Sequence, residues 1–207
     1  MQVIECEQGT DEWFAARLGV VTASKFKDVM AKGNGKTRRS YMIKLVAERL
    51  SGQMEKGFTN AAMEWGTQTE PEARDSYAFL TGHDVQLVGF CKRNENEGAS
   101  PDSLVNDDGL LEIKCPNTST QIETVLSGEV PSTHKAQIQG QLYITEREWC
   151  DFVSFDPRIQ GDASMFIKRV YRDGTYIKNL QEELELFVED MLEMTALLKG
   201  ESLEKAA

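Results

Sequence analysis

Histidine is almost absent from this 207-residue chain: only His83 and His134 occur. They lie too far apart for a histidine metal motif, and His134 is expected to be exposed. Cys6, Cys91, Cys115 and Cys150 show no C-x-x-C spacing, which argues against a zinc ribbon or a disulfide framework and for reduced thiols in a cytoplasmic protein. No apolar run approaches the roughly 18 residues of a membrane span. No secretory leader, repeat or low-complexity tract is visible. Positive charge is also short, with 23 Lys and Arg against 34 Asp and Glu, a net −11. That balance argues at first against binding a polyanion, whose affinity comes largely from Lys and Arg. The length suffices for a sizeable core and predicts a single domain over residues 1–207, with an amphipathic helix at its C-terminal end.

The charges are unevenly spread. Gln181 to Ala207 carries eight acids and two bases, whereas Lys32 to Lys44 carries Lys32, Lys36, Arg38, Arg39 and Lys44 with no acid. A basic, glycine-containing loop on an acidic body suits a local nucleic-acid track; an ordinary solvated loop is the alternative.

What is present and informative is Ser100 to Lys114, SPDSLVNDDGLLEIK. Leu111, Ile113 and Cys115 alternate with Glu112 and Lys114, the pattern of a strand. A three-residue loop, Asp107-Asp108-Gly109, with Gly109 left-handed, pairs Asn106 with Leu110 and sets Asp102 opposite Lys114. Asp102, Glu112 and Lys114 then share a face; a loop one residue different would part them. Two carboxylates and an ammonium suit a divalent metal and a phosphodiester. Asp102 and Glu112 are the expected ligands, with the Ile113 carbonyl a third, for Mg²⁺ or, in its place, Mn²⁺. Lys114 is expected to orient the attacking water and stabilise the oxyanion. Its direct action as a base would need a pKa far below its usual value of about 10.4. A merely solvated polar hairpin is the competing reading.

Around this hairpin the pattern predicts helices from Thr10 to Leu18, from Thr22 to the Gly33-Asn34-Gly35 loop, from Arg39 to Ser51 and from Asn60 to Leu80. Pro71 should either kink the last of these or follow a new start capped by Thr69. His83 to Lys92 reads as a strand, Thr118–Ser127 and Ser132–Thr145 as helices, Trp149–Phe155 and Met165–Tyr171 as strands, and Tyr176–Lys199 as a closing helix. The class is α/β, a mixed central sheet flanked by helices.

Six collinear segments give the chain a resemblance to the phage lambda exonuclease family, the YqaJ-like viral recombinases of the PD-(D/E)xK nuclease superfamily. They are Trp13 with Arg17-Leu18-Gly19-Val20-Val21-Thr22-Ala23-Ser24, Trp65 to Glu70, Ser100-Pro101-Asp102, Leu111 to Pro116, Gln137-Ile138-Gln139 and Asp156-Pro157-Arg158. The resemblance implies a restriction-endonuclease-like core and a metal-dependent 5′→3′ exonuclease on double-stranded DNA ends. It implies release of 5′-mononucleotides, 3′ overhangs, a ring-shaped homotrimer, a single-strand annealing recombinase as partner and a phage or prophage setting in a bacterial cytoplasm.

By the same resemblance Glu70 and Gln139 join the catalytic group, Arg17, Ser24 and Ser100 bind the terminal 5′-phosphate, and Met63 wedges into the duplex end. Taken alone, Glu70 reads as an i,i+4 partner of Arg74, Ser24 as a helix cap, Gln139 as a surface amide and Met63 as a core side chain. A site-specific endonuclease of the same superfamily and a non-catalytic DNA-end clamp are the rival functions.

Overall fold

Two mixed sheets meet at Pro101. The computed structural model describes residues 1–31, 35–54 and 60–201. The first sheet contains β1 (Gln2–Ile4), β2 (Val21–Thr22), β4 (Phe90–Lys92) and β5 (Glu97–Ala99), in the order β1-β4-β5-β2. The second contains β3 (Val85–Gln86), β6 (Ser103–Val105), β7 (Gly109–Lys114), β8 (Trp149–Phe155) and β9 (Met165–Tyr171), in that order. The pairs β2/β5 and β7/β8 are parallel and the others antiparallel. The helices are α1 (Asp11–Arg17), α2 (Phe26–Val29), α3 (Lys36–Ser51), α4 (Ala61–Thr81), α5 (Thr118–Ser127), α6 (Lys135–Thr145) and α7 (Gly174–Lys199). Among the described residues, no helix is long and apolar enough to cross a membrane.

β7 is buried along nearly its whole length because helices cover both of its faces. Leu111 and Ile113 pack with Ala73 and Tyr77 of α4, whereas Leu110 packs with Ile138 and Leu142 of α6. The alternation read from the sequence therefore separates two cores. Glu112 falls on the α6 side, the only acid of the strand.

The hairpin keeps its three-residue loop but shifts it. Val105 pairs with Gly109 and Ser103 with Leu111, so the loop is Asn106-Asp107-Asp108, and Asp102 comes level with Glu112, not with Lys114. Asn106, not Gly109, takes the left-handed conformation (φ 45°). Two bonds to Asp84 fix it there, through its side-chain oxygen (3.0 Å) and its backbone N–H (2.9 Å). Gly109 serves packing instead: a Cβ there would lie 2.2 Å from the Trp149 ring. The slip is two residues, so the face of Asp102 is preserved.

Other expectations also shift. The His83–Lys92 segment divides between the sheets, Val85 pairing with Val105 and Phe90 with Ile4. α3 begins at Lys36, earlier than the pattern suggested, so Lys36, Arg38 and Arg39 lie on a helix and not on a loop; Lys32, Gly33 and Asn34 lie outside the described residues. Arg38 is buried against α7, with Nη1 3.4 Å from Asp190 and its guanidinium 5.1 Å from the Phe187 ring. α4 passes through Pro71 as one helix. Proline removes one hydrogen bond of the ladder, but Thr69, Ala73 and Tyr77 are buried along the same element and hold it to the sheet.

Candidate active site

Glu112, only 1% exposed, carries the densest set of polar contacts in the hairpin. Its Oε1 accepts from Lys114 Nζ and from Gln137 Nε2 (2.6 Å), and its Oε2 accepts from Gln141 Nε2 (2.6 Å). Gln137 and Gln141 sit one helical turn apart on α6, which puts both amides over β7. Asp102 faces Glu112 from the end of β6; its Oδ2 accepts from the Ile113 amide (2.5 Å). Burial pushes the Asp102 carboxyl well above its usual range, and the charges of Glu112 and Glu70 push the same way, against Lys114 and the Ile113 amide. For Lys114, burial disfavours the charge, but Glu112 and Asp102 outweigh it and the pKa rises. The ammonium is thus held charged, the opposite of what a general base requires.

The donor set fits a hard divalent cation. Asp102 and Glu112 offer carboxylate oxygens and Ile113 a carbonyl, which suits an ion that keeps several waters. Two acids forced together by burial have the field that a cation relieves. Gln141 Oε1 is buried without a hydrogen-bond partner among the described residues, an acceptor left for a bound water. No group of three or more His, Cys, Asp and Glu side chains able to hold a metal occurs among the described residues.

Glu70 pairs with Arg74, whose Nε also donates to Ser103 Oγ (3.0 Å). It lies near enough for its charge to raise both Asp102 and Lys114. Gln139 points away from the acids. Its amide donates to the Tyr171 carbonyl (2.9 Å) and accepts from the Asp173 N–H (2.9 Å), so it ties α6 to the β9–α7 corner. The glutamines that reach Glu112 are its neighbours two positions to either side, a helical-face distinction that the motif alone did not resolve. His134 is half-buried against Phe152 (5.4 Å), not exposed, and burial followed by the Lys114 charge lowers its pKa. Met63 is not a core side chain: it is 55% exposed in the first turn of α4, where its N–H bonds the Asn60 cap (3.0 Å).

A second constellation adjoins the first. Thr22 pairs with Gly98 in the parallel β2/β5 pair, and Ser24, in the single turn of 3₁₀ helix that follows β2, faces the same cavity as Ser100. Arg17 Nη1 (3.2 Å) and Trp13 Nε1 (2.9 Å) both donate to Ser100 Oγ, and the Arg17 guanidinium lies 4.0 Å from the Trp13 ring. These residues, with Gln8, Gln137 and Gln141, line a cavity of about 170 Å³. Gln8 fixes its floor through bonds to the Val88 and Pro101 carbonyls (both 2.9 Å). Gly140 permits the close approach of α6: a Cβ there would lie 2.4 Å from the Phe26 ring, just beyond Ser24. Burial lowers the Arg17 pKa to about 10, Tyr41 and Glu48 opposing, so it remains cationic at neutral pH. The cavity presents a guanidinium, hydroxyls and amides, the donor set of a phosphate site. Only the fold brings Gln8, Trp13 and Gln141 to one cavity.

Comparison with known proteins places this site in context. The YqaJ-like viral recombinase domain matches residues 12–148. An alkaline exonuclease from Laribacter hongkongensis, LHK-Exo, is 45% identical, with a TM-score of 0.86 over 92% of this chain and 96% of that one; its structure in complex with dAMP matches equally well. A phage-related exonuclease from Haemophilus somnus 129PT, 14% identical, shares the fold with a TM-score of 0.66 over 86% of this chain and 96% of that one. No curated protein matches.

Proposed function

Because this chain belongs to the YqaJ-like viral recombinase family, we propose that it is a metal-dependent 5′→3′ exonuclease acting on double-stranded DNA ends. It releases 5′-mononucleotides and leaves 3′ single-stranded overhangs for phage-type recombination in a bacterial cytoplasm. The observation that carries the reading is the adjacency of the two constellations. Ser100 precedes Asp102 by one proline, and Gln137 and Gln141 line the cavity while also holding Glu112. A terminal phosphate gripped beside the acids presents the next bond for hydrolysis, and each cut generates a new terminal phosphate. The 45% identity to an alkaline exonuclease, which binds the deoxynucleoside monophosphate dAMP, supports the same direction.

In this reading Arg17, Ser24 and Ser100 hold the 5′-phosphate. Asp102, Glu112 and the Ile113 carbonyl would hold Mg²⁺ or Mn²⁺, which would supply Lewis acidity and an activated water. Lys114, kept charged by its acidic neighbours, orients the attacking water and steadies charge on the phosphoryl oxygens. Glu70 shapes the field at Asp102 and is itself oriented by Arg74. Met63, exposed in the first turn of α4, is the wedge at the duplex end in this reading. Lys36 and Arg39 extend the DNA track, and a homotrimeric ring turns three such tracks toward one duplex, offsetting the acidic exterior. A single-strand annealing recombinase takes up the overhang.

Digestion of a 5′-labelled blunt linear duplex and of a covalently closed circle, each with and without magnesium, tests the reading. Mononucleotides from the linear substrate, magnesium dependence and an intact circle are expected. Nicking of the circle would identify an endonuclease; end binding without digestion would identify a clamp.

A further inference from the structure

Arg158 is held more firmly than an exposed arginine in a turn requires. Its Nε (2.7 Å) and Nη2 (3.0 Å) dock on the two oxygens of Asp156, a carboxylate with no exposed surface. Nη2 also meets the Pro116 carbonyl (3.2 Å), and the guanidinium carbon lies 4.4 Å from the Trp65 ring. Asp156 is locked in turn by the Thr118 hydroxyl (2.7 Å) at the start of α5. Yet the Arg158 side chain is 47% exposed, and its Nη1 has no hydrogen-bond partner among the described residues. A guanidinium fixed on three sides with one amino group turned outward is an anion donor whose ordering cost is already met by the fold.

Its position matters as much as its rigidity. Counting on from the Lys114↔Ser154 pair sets Pro116 level with Asp156, so Arg158 stands beyond the same strand ends that present Glu112 and Lys114. Trp65 ties it to α4, which covers the face of the sheet opposite α6. The Arg17 cavity lies on the α6 side. Two arginines, each laid on a tryptophan, thus belong to opposite faces of the sheet that carries the acidic pair.

We propose that Arg158 binds a backbone phosphate of the DNA on the far side of the scissile bond from the terminal-phosphate cavity. It rests on the exonuclease reading above and adds a second grip, one that bears on the internucleotide backbone and not on the chain end. A purely structural Arg158 would do no more than neutralise Asp156.

The test measures binding of a 5′-phosphorylated duplex without metal, by fluorescence anisotropy over a series of salt concentrations, for wild type, Arg158→Gln and Arg158→Lys, with thermal melts of each. Arg158→Gln should weaken binding about tenfold at low salt and flatten the log–log salt slope by about one phosphate contact, or ~0.9. Arg158→Lys keeps the charge but loses the fork, and should raise Kd severalfold with most of the slope retained. Both should keep the wild-type preference for 5′-phosphorylated over 5′-hydroxyl ends. A lower melting temperature with unchanged Kd and slope overturns the proposal; if Arg158→Gln does not fold, an unchanged Kd in Arg158→Lys does so. If wild type digests linear ends as expected while these slopes coincide, only this inference falls. If wild type neither binds nor digests duplex ends, the exonuclease reading falls with it.

Discussion

The four-stranded sheet and the five-stranded sheet supply different chemistry to one site. The first brings Ser24 and Ser100 together from the ends of a parallel strand pair and adds Arg17 from α1. The second brings Asp102 and Glu112 together across an antiparallel hairpin, where burial and like charge oppose them. One half is a donor-lined cavity that suits a terminal phosphate; the other is a close acidic pair that suits a cation. On the function proposed above, selection falls to the first sheet and cutting to the second, and the two should be separable by mutation.

The largest separation is expected at Lys114. Lys114→Ala should lower cutting on the order of 10²–10³-fold, the scale of losing one preorganised donor to a developing oxyanion, with Kd for duplex DNA nearly unchanged by anisotropy. Undiminished cutting would remove the lysine from the mechanism. Arg17→Ala should act on the other half alone. Competing 5′-phosphorylated and 5′-hydroxyl duplexes should show the kcat/KM preference falling about 10–100-fold, the worth of one or two charge-assisted hydrogen bonds.

Gly140 joins the halves, because α6 carries Gln137 and Gln141 past Phe26 and Ser24. Gly140→Ala should cost about 1–3 kcal/mol of stability in denaturant titrations, the range for overpacking, and should also blunt the end preference. A smaller contrast separates the α6 glutamines. Gln137→Ala removes a bond to Glu112 and should slow cutting severalfold, whereas Gln139→Ala should leave the rate intact and cost about 1 kcal/mol through the β9–α7 corner. Equal rate losses in both would contradict the orientation described here. The mildest effect is that of pH. Although burial lowers the Arg17 pKa, it does so only to about 10, so the guanidinium stays charged and the 5′-phosphate preference should hold level from pH 7 to about pH 9, measured as a ratio of initial rates.

Most of the framework is legible in the residues. Thr10, Asn60 and Asn117 accept hydrogen bonds from the N–H groups of the helices they open, and the alternation in Leu110–Cys115 fixes which side chains share a face. Less legible were the sites that depend on a face of α6. Gln137, Gln139 and Gln141 lie within one helical turn or so of each other, and sequence spacing alone cannot say which of them points at β7. The loop at Asn106 is hidden from the sequence for a similar reason. Gly109 offers the usual left-handed residue, but the Trp149 ring, forty residues away, claims the space a Cβ would fill and keeps that glycine in the strand.

Local chemistry, then, set the strand periods, the helix starts and the identity of the acids, since these depend on neighbours within a few residues. The chain's tertiary structure alone decided that Ser24 shares a cavity with Ser100, that Arg38 is buried on α7, and that Gln137 and Gln141 serve Glu112. Each of these joins residues from different elements, so it depends on how helices and sheets pack and not on neighbours along the chain.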